Sequence, residues 1–194
     1  GTLIAMMLVG RLLARGADAR VLAGIGMTLT AYSLWQMVHW NIAVPEQVIV
    51  TAGILQGLGL GLVFVPISTV AYSTLPVAAR TEAAGIFSLL RNIGSSVGIS
   101  IVMTLLSRGT QVNHAELAER LTPFNATATF SSTPMSAAQN LALLNGEVTR
   151  QASAIAFLND FWLMMLMTLV AIPMLLLLKP VRAVPGASEL AAIE

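Results

Sequence analysis

The sequence predicts an all-α integral membrane protein with four complete transmembrane helices plus the end of a fifth. Three observations carry that prediction. Hydrophobic residues fill 56% of the 194 positions and charged residues only 10%, with mean hydropathy +0.81; a soluble domain of this size needs far more charged surface. Four separate stretches stay apolar over the roughly 20 residues that a helix needs to cross the hydrocarbon core. Lys and Arg gather in alternate connections, as the positive-inside rule demands of a multi-pass chain.

Composition also excludes function classes. A net charge of +1 leaves no basic footprint for nucleic acid. Without cysteine there is no disulfide framework, thiolate metal site or cysteine nucleophile. His39 and His114 are too far apart in sequence to suggest a metal cluster, and no His, Asp or Glu cluster falls inside a span. The sequence therefore offers no catalytic residue and no metal site, and it does not read as an enzyme. Gly1 opens inside an apolar run with no initiator Met, so a piece of a longer chain is expected.

Residues 1–9 read as the last turns of a membrane helix. Gly10 to Arg20 is too basic and too rich in glycine to span. Residues 21–38 form a clean apolar helix that ends in Trp35, His39 and Trp40, an interfacial signature. Asn41 to Glu46 makes a turn, with Pro45 suited to the start of a helix. The next span, about 47–70, carries Gly53, Gly57 and Gly61 at four-residue spacing, a ridge that lets another helix come close. Gln56 is its one strongly polar interior residue and needs a partner or water. Pro66, Ser68 and Thr69 should loosen its far end.

The span at about 81–106 organises the rest. It carries Arg91 and Asn92 well inside an apolar helix, where a guanidinium costs about 2.5–3.5 kcal/mol if it meets lipid. Ala84, Ser88, Arg91, Ser95 and Gly98 share one helical face, and Asn92 and Ser96 widen it. Gly94 and Gly98 add small positions for helix packing. Ile86, Leu90, Ile93, Val97 and Ile101 line the opposite side. Two readings of Arg91 stay open: a tie between two helices, or a group on a water-filled pathway. Residues 107–157 form a polar interval expected to hold short helices near 114–121 and 137–157, with an irregular passage between them. A last span at about 158–179 and a tail at 180–194 complete the chain. The Arg/Lys asymmetry places residues 10–20, 71–80 and the tail in the cytoplasm, and 39–46 and 107–157 outside.

Gly10, Arg15, Asp18 and Arg20 resemble the cytoplasmic loop motif that major facilitator transporters carry between the second and third helices of each half. Ala14 occupies the motif's early acidic position, so its charge-relay form is not intact. Leu75-Pro76, Arg80, Ala83-Ala84-Gly85 and Arg91-Asn92-Ile93-Gly94-Ser95-Ser96-Val97-Gly98 resemble the penultimate helix of the fourteen-span drug–proton antiporters, the EmrB/QacA type. The external NHAEL and LTPFN segments and a last helix beginning Asn159-Asp160-Phe161-Trp162 are similar too.

The resemblance implies a partial C-terminal half of a major facilitator fold, in a multi-pass protein of the bacterial inner membrane. Residues 1–106 would hold the end of the tenth helix and the eleventh to thirteenth, and the fourteenth would follow the external interval. It implies multidrug efflux by alternating access, driven by the proton gradient with no cofactor. Gln56, Arg91, Asn92 and Ser95 become candidates for the substrate pathway or the interface between halves. The implied partners are the lipid bilayer, hydrophobic small-molecule substrates and the missing N-terminal part of the same chain. A periplasmic adaptor and an outer-membrane channel are candidate contacts of the external interval. Glu82 and Asp160 read as helix-end residues, so the proton-carrying acids are expected in the missing part. An exporter of a siderophore or metabolite, and a non-transporting membrane scaffold, are the alternatives.

Overall fold

The computed structural model describes residues 1–73, 75–121 and 137–175. All regular structure among the described residues is helical: α1 (Thr2–Ala14), α2 (Ala19–Val38), α3 (Glu46–Ser73), a 3₁₀ turn at Val77–Ala79, α4 (Arg80–Glu119) and α5 (Ala137–Met174). α2 to α5 are each long and apolar enough to cross a membrane. The chain divides into two compact units. The first holds Gly1–His39, Val44–Ile93 and the stretch from Phe161 onward; the second holds Trp40–Ala43 and Gly94–Asp160.

In the first unit, α1 and α2 both pack on α3. α1 stops because Gly16 takes a left-handed conformation at φ +86°, which costs glycine nothing. The Gly16 amide then bonds the Leu13 carbonyl at 3.0 Å and the Ala17 amide bonds Leu12 at 3.0 Å. Together these form a Schellman ending that satisfies two orphan carbonyls. α2 starts two residues later, where the Asp18 carboxylate accepts the Arg20 amide at 3.1 Å. Val9, Leu13, Ala19 and Leu22 are buried around this turn, with Leu62, Val65 and Val70 of α3 against them.

Small residues bring α2 and α3 into backbone contact. A Cβ added at Gly26 would lie 2.7 Å from the Gly59 carbonyl oxygen and 2.7 Å from Leu62 Cβ. Ser33, fully buried, donates its hydroxyl to the Ala52 carbonyl at 2.8 Å across the same seam. On another face of α3, Gly57 and Gly61 receive α1: a Cβ at Gly61 would lie 2.5 Å from Ala5 Cβ and 2.8 Å from the Thr2 carbonyl oxygen. Gly53, the first glycine of the ridge, has open space within 4 Å. α3 runs unbroken through Pro66, and the Ser68 and Thr69 hydroxyls both donate to the Val65 carbonyl at 2.9 Å.

In the second unit, α4 and α5 run antiparallel. A Cβ at Gly109 would lie 3.2 Å from Ala156 Cβ. Asn113 Nδ2 donates to the Ala152 carbonyl at 3.4 Å, and His114 Nε2 lies within hydrogen-bonding distance, 3.0 Å, of Asn145 Oδ1. Ala152 and Ala156 are buried, so this pair closes on small residues.

The helix boundaries depart from expectation in two places. α1 reaches Ala14 rather than ending near Val9, because Gly10 alone is a weak breaker and Arg11 favours the negative end of a helix. The expected external helices are continuations of membrane helices, not separate pieces. α4 extends over 40 residues to Glu119 and α5 over 38, because no proline interrupts residues 80–119 or 137–172. The passage expected to be irregular and the C-terminal tail lie outside the described residues.

Candidate functional site

α1, α3 and the first turns of α4 line an open pocket of about 420 Å³. Thr2 and Met6 line it from α1, Leu60, Val63, Phe64 and Ile67 from α3, and Phe87 and Arg91 from α4. The α3 residues fall at i, i+3, i+4 and i+7, so helical periodicity alone makes them one wall. The α4 pair sits at i and i+4, which stacks Phe87 beside the arginine. Tyr72 fixes Phe87 with an edge-on ring contact at 5.8 Å between centroids and 72° between planes.

Arg91 Cζ lies 5.2 Å from the centre of the Phe64 ring. A guanidinium over an aromatic face gains about 0.5–2 kcal/mol, more as water is excluded, against the several kcal/mol of placing it in lipid. The ring therefore offsets part of the cost and aims the group at the cavity wall. Arg91 is the one charged residue in that lining, and among the described residues no carboxylate forms an ion pair with it.

Of the other expected site residues, Gln56 is half-buried on α3, one turn before Leu60, and does not line the cavity. Asn92 follows Arg91 on α4 and Ser95 comes one turn later, both solvent-accessible and both in contact with a neighbour. Gly94 and Gly98 meet no atom within 4 Å. In the loop motif, Gly10 likewise faces open space, Arg15 caps α1 through its amide, and Asp18 caps α2. Arg20 keeps its Nε buried without a hydrogen-bond partner among the described residues.

Two features escaped the sequence reading. Neither Phe64 nor Phe87 stands out in the sequence; the available signal was Phe87 four residues before the arginine inside the span. Asp160 read as a helix-end residue, but α5 begins at Ala137 and places it in the helix interior. It is buried, with Oδ2 lacking a hydrogen-bond partner among the described residues. The small residues Ala152 and Ala156, eight and four positions earlier on the same face, were the hint that this side of α5 turns inward.

Comparison with known proteins adds what geometry cannot. The chain is 31% identical to the colistin resistance protein EmrB of Acinetobacter baumannii, over 56% of this chain and 21% of that protein. It is 31% identical to the fatty acid resistance protein FarB of Neisseria gonorrhoeae, over 64% of this chain and 26% of that one. With the multidrug export protein EmrB of Haemophilus influenzae the identity is 26%, over 75% and 30%.

The chain is similar to part of the EmrB-type export proteins.

The match to each EmrB-type protein spans between a fifth and a third of that protein's length. No family model matches the chain, and no solved structure does. Its four long apolar helices are each able to cross a membrane, as expected of a multi-pass membrane protein.

Proposed function

We propose that this chain is the C-terminal part of a proton-coupled multidrug exporter that works by alternating access. The observation that carries the reading is the Arg91 pocket: an apolar, partly open recess with one cation on its wall, where Gly57 and Gly61 let α1 close on α3 and α4 adds Phe87 and Arg91. Apolar sites of about 300–1,000 Å³ with few polar groups are the usual form of a small-molecule site. The names of the relatives, which cite colistin, fatty acids and multiple drugs, fit a pocket that accepts varied apolar bodies. In this reading Gln56, Arg91, Asn92 and Ser95 lie on the pathway or at the interface between halves. The motif at Gly10, Arg15, Asp18 and Arg20 faces the cytoplasm, and the helical extensions of α4 and α5 outside the membrane stand ready for an adaptor protein. Residues 1–106 form part of one transporter half, and 158–179 the final span.

Ethidium efflux from cells that express the full-length protein tests this. Accumulated dye should leave in energised cells and stay when a protonophore collapses the gradient. Dye retention in energised cells, or efflux indifferent to the gradient, would count against the proposal.

A further inference from the structure

Three rings stand in line on the exposed face of α2. Tyr32 stacks on Trp35 with 5.9 Å between centroids and 24° between planes, and Trp35 meets the His39 imidazole at 4.9 Å and 58°. All three are exposed, Tyr32 and Trp35 by half, while Ser33, Leu34 and Met37 on the other side of the helix are buried. His39 Nδ1 lies 2.8 Å from the Trp35 carbonyl oxygen. A carbonyl can only accept, so Nδ1 carries the hydrogen of that bond, and Nε2 of the neutral ring is left as an acceptor.

At about 1.5 Å per residue, the 20 residues of α2 match the roughly 30 Å of bilayer hydrocarbon. That sets His39 at the membrane boundary and Tyr32 about 10 Å deeper. The line of rings therefore runs from a polar top to an apolar foot, the order of a phospholipid standing beside it. Its charge preference is for a cation. Aromatic faces are negative, Nε2 accepts, and between Arg20 and Arg80 the sequence holds no Lys or Arg and one acid, Glu46, in the turn that follows His39.

We infer that Tyr32, Trp35 and His39 form a docking site for a phospholipid with a primary-ammonium headgroup, as in phosphatidylethanolamine. The ammonium donates to His39 Nε2 beside the Trp35 ring, and an acyl chain lies along Trp35 and Tyr32. None of the three lines the Arg91 pocket, and the site does not depend on the exporter reading.

Native mass spectrometry of purified full-length protein tests it, with phosphatidylethanolamine, phosphatidylcholine and phosphatidylglycerol of matched acyl chains titrated in turn. Phosphatidylcholine keeps the positive charge but has no N–H to donate. The wild type should bind one equivalent of phosphatidylethanolamine about threefold or more tightly than phosphatidylcholine, the worth of one hydrogen bond. His39→Leu should remove that margin, and Trp35→Leu should weaken both ammonium lipids relative to phosphatidylglycerol. His39→Arg should turn the preference toward phosphatidylglycerol, which a variant that merely misfolds would not do. Ile25→Ala, on the same exposed face two turns deeper than Tyr32, should change nothing.

Equal binding of phosphatidylethanolamine and phosphatidylcholine by the wild type would overturn the inference, as would a margin that survives His39→Leu. A wild-type preference for phosphatidylglycerol would make the face an anion site and overturn it too. Displacement of the bound lipid by free phosphoethanolamine at matched concentration would assign the rings to soluble ammonium compounds, again against the inference. Absence of any His39-dependent lipid on the full-length protein, the result expected if the rest of the chain covers this face, would end it.

Discussion

A Cβ added at Gly59 would lie 2.8 Å from the Gly26 carbonyl oxygen and 2.9 Å from the Thr30 amide nitrogen, and it would also collide with the Thr30 hydroxyl. These are backbone neighbours that cannot swing aside, so Gly59→Ala should destabilise the protein by about 1–3 kcal/mol, the usual cost of overpacking. Gly53→Ala meets open space and should be neutral, or stabilising by up to about 1 kcal/mol through helix propensity. Thermal midpoints of the purified full-length variants check both. Glycine spacing made this ridge visible in the sequence, but it could not say that Gly57 and Gly61 meet α1, that Gly59 meets α2, and that Gly53 meets neither. That outcome depends on the rotation of each helix, which periodicity leaves free. At the surface, Arg150 first and Gln151 second hold the Glu147 carboxyl down to about 2. A lowered pKa stabilises above the ordinary value of 4.5 and loses that benefit as pH falls toward 2. Since the pair is fully exposed and screened by solvent, Glu147→Gln should leave the thermal midpoint unchanged between pH 6 and 8.

Helix α4 is the element whose existence was most legible and whose length was least so. Its apolar stretch announced a span, and Arg91 within it announced a polar neighbour or water. Its C-terminal limit was misplaced because polarity changes near Ser107 while helix propensity does not: Glu116, Leu117, Ala118 and Glu119 are all good helix formers. At about 1.5 Å per residue, its 40 residues extend roughly 60 Å, about twice the hydrocarbon thickness. The same holds at the start of α5, where Asp160 was hidden because the change in polarity was taken for a helix boundary. If the Arg/Lys asymmetry sets orientation, cysteines placed singly at Arg15 and Leu141, both exposed, should differ in intact cells. An impermeant maleimide should label the second and spare the first; the opposite pattern would invert the topology.

For the molecule as a whole, burial is uneven. α2 buries residues along most of its length through its seam with α3, whereas α4 has no buried residue and exposes Ile86, Leu89, Leu90, Ile93 and Val97. Lipid can cover such a helix, as can further protein, and composition reads the same in either case; this is why membrane class was plain from the sequence and the helix neighbours were not. The contrast also implies a sequence of events in time. α2 and α3 are joined by a short turn and close on each other locally, so they can pair as soon as α3 has been made. At typical synthesis rates the residues of α4 follow over a few seconds. When Arg91 enters the bilayer, the Phe64 ring is therefore already in place on a finished hairpin, ready to receive the incoming guanidinium before any later helix exists.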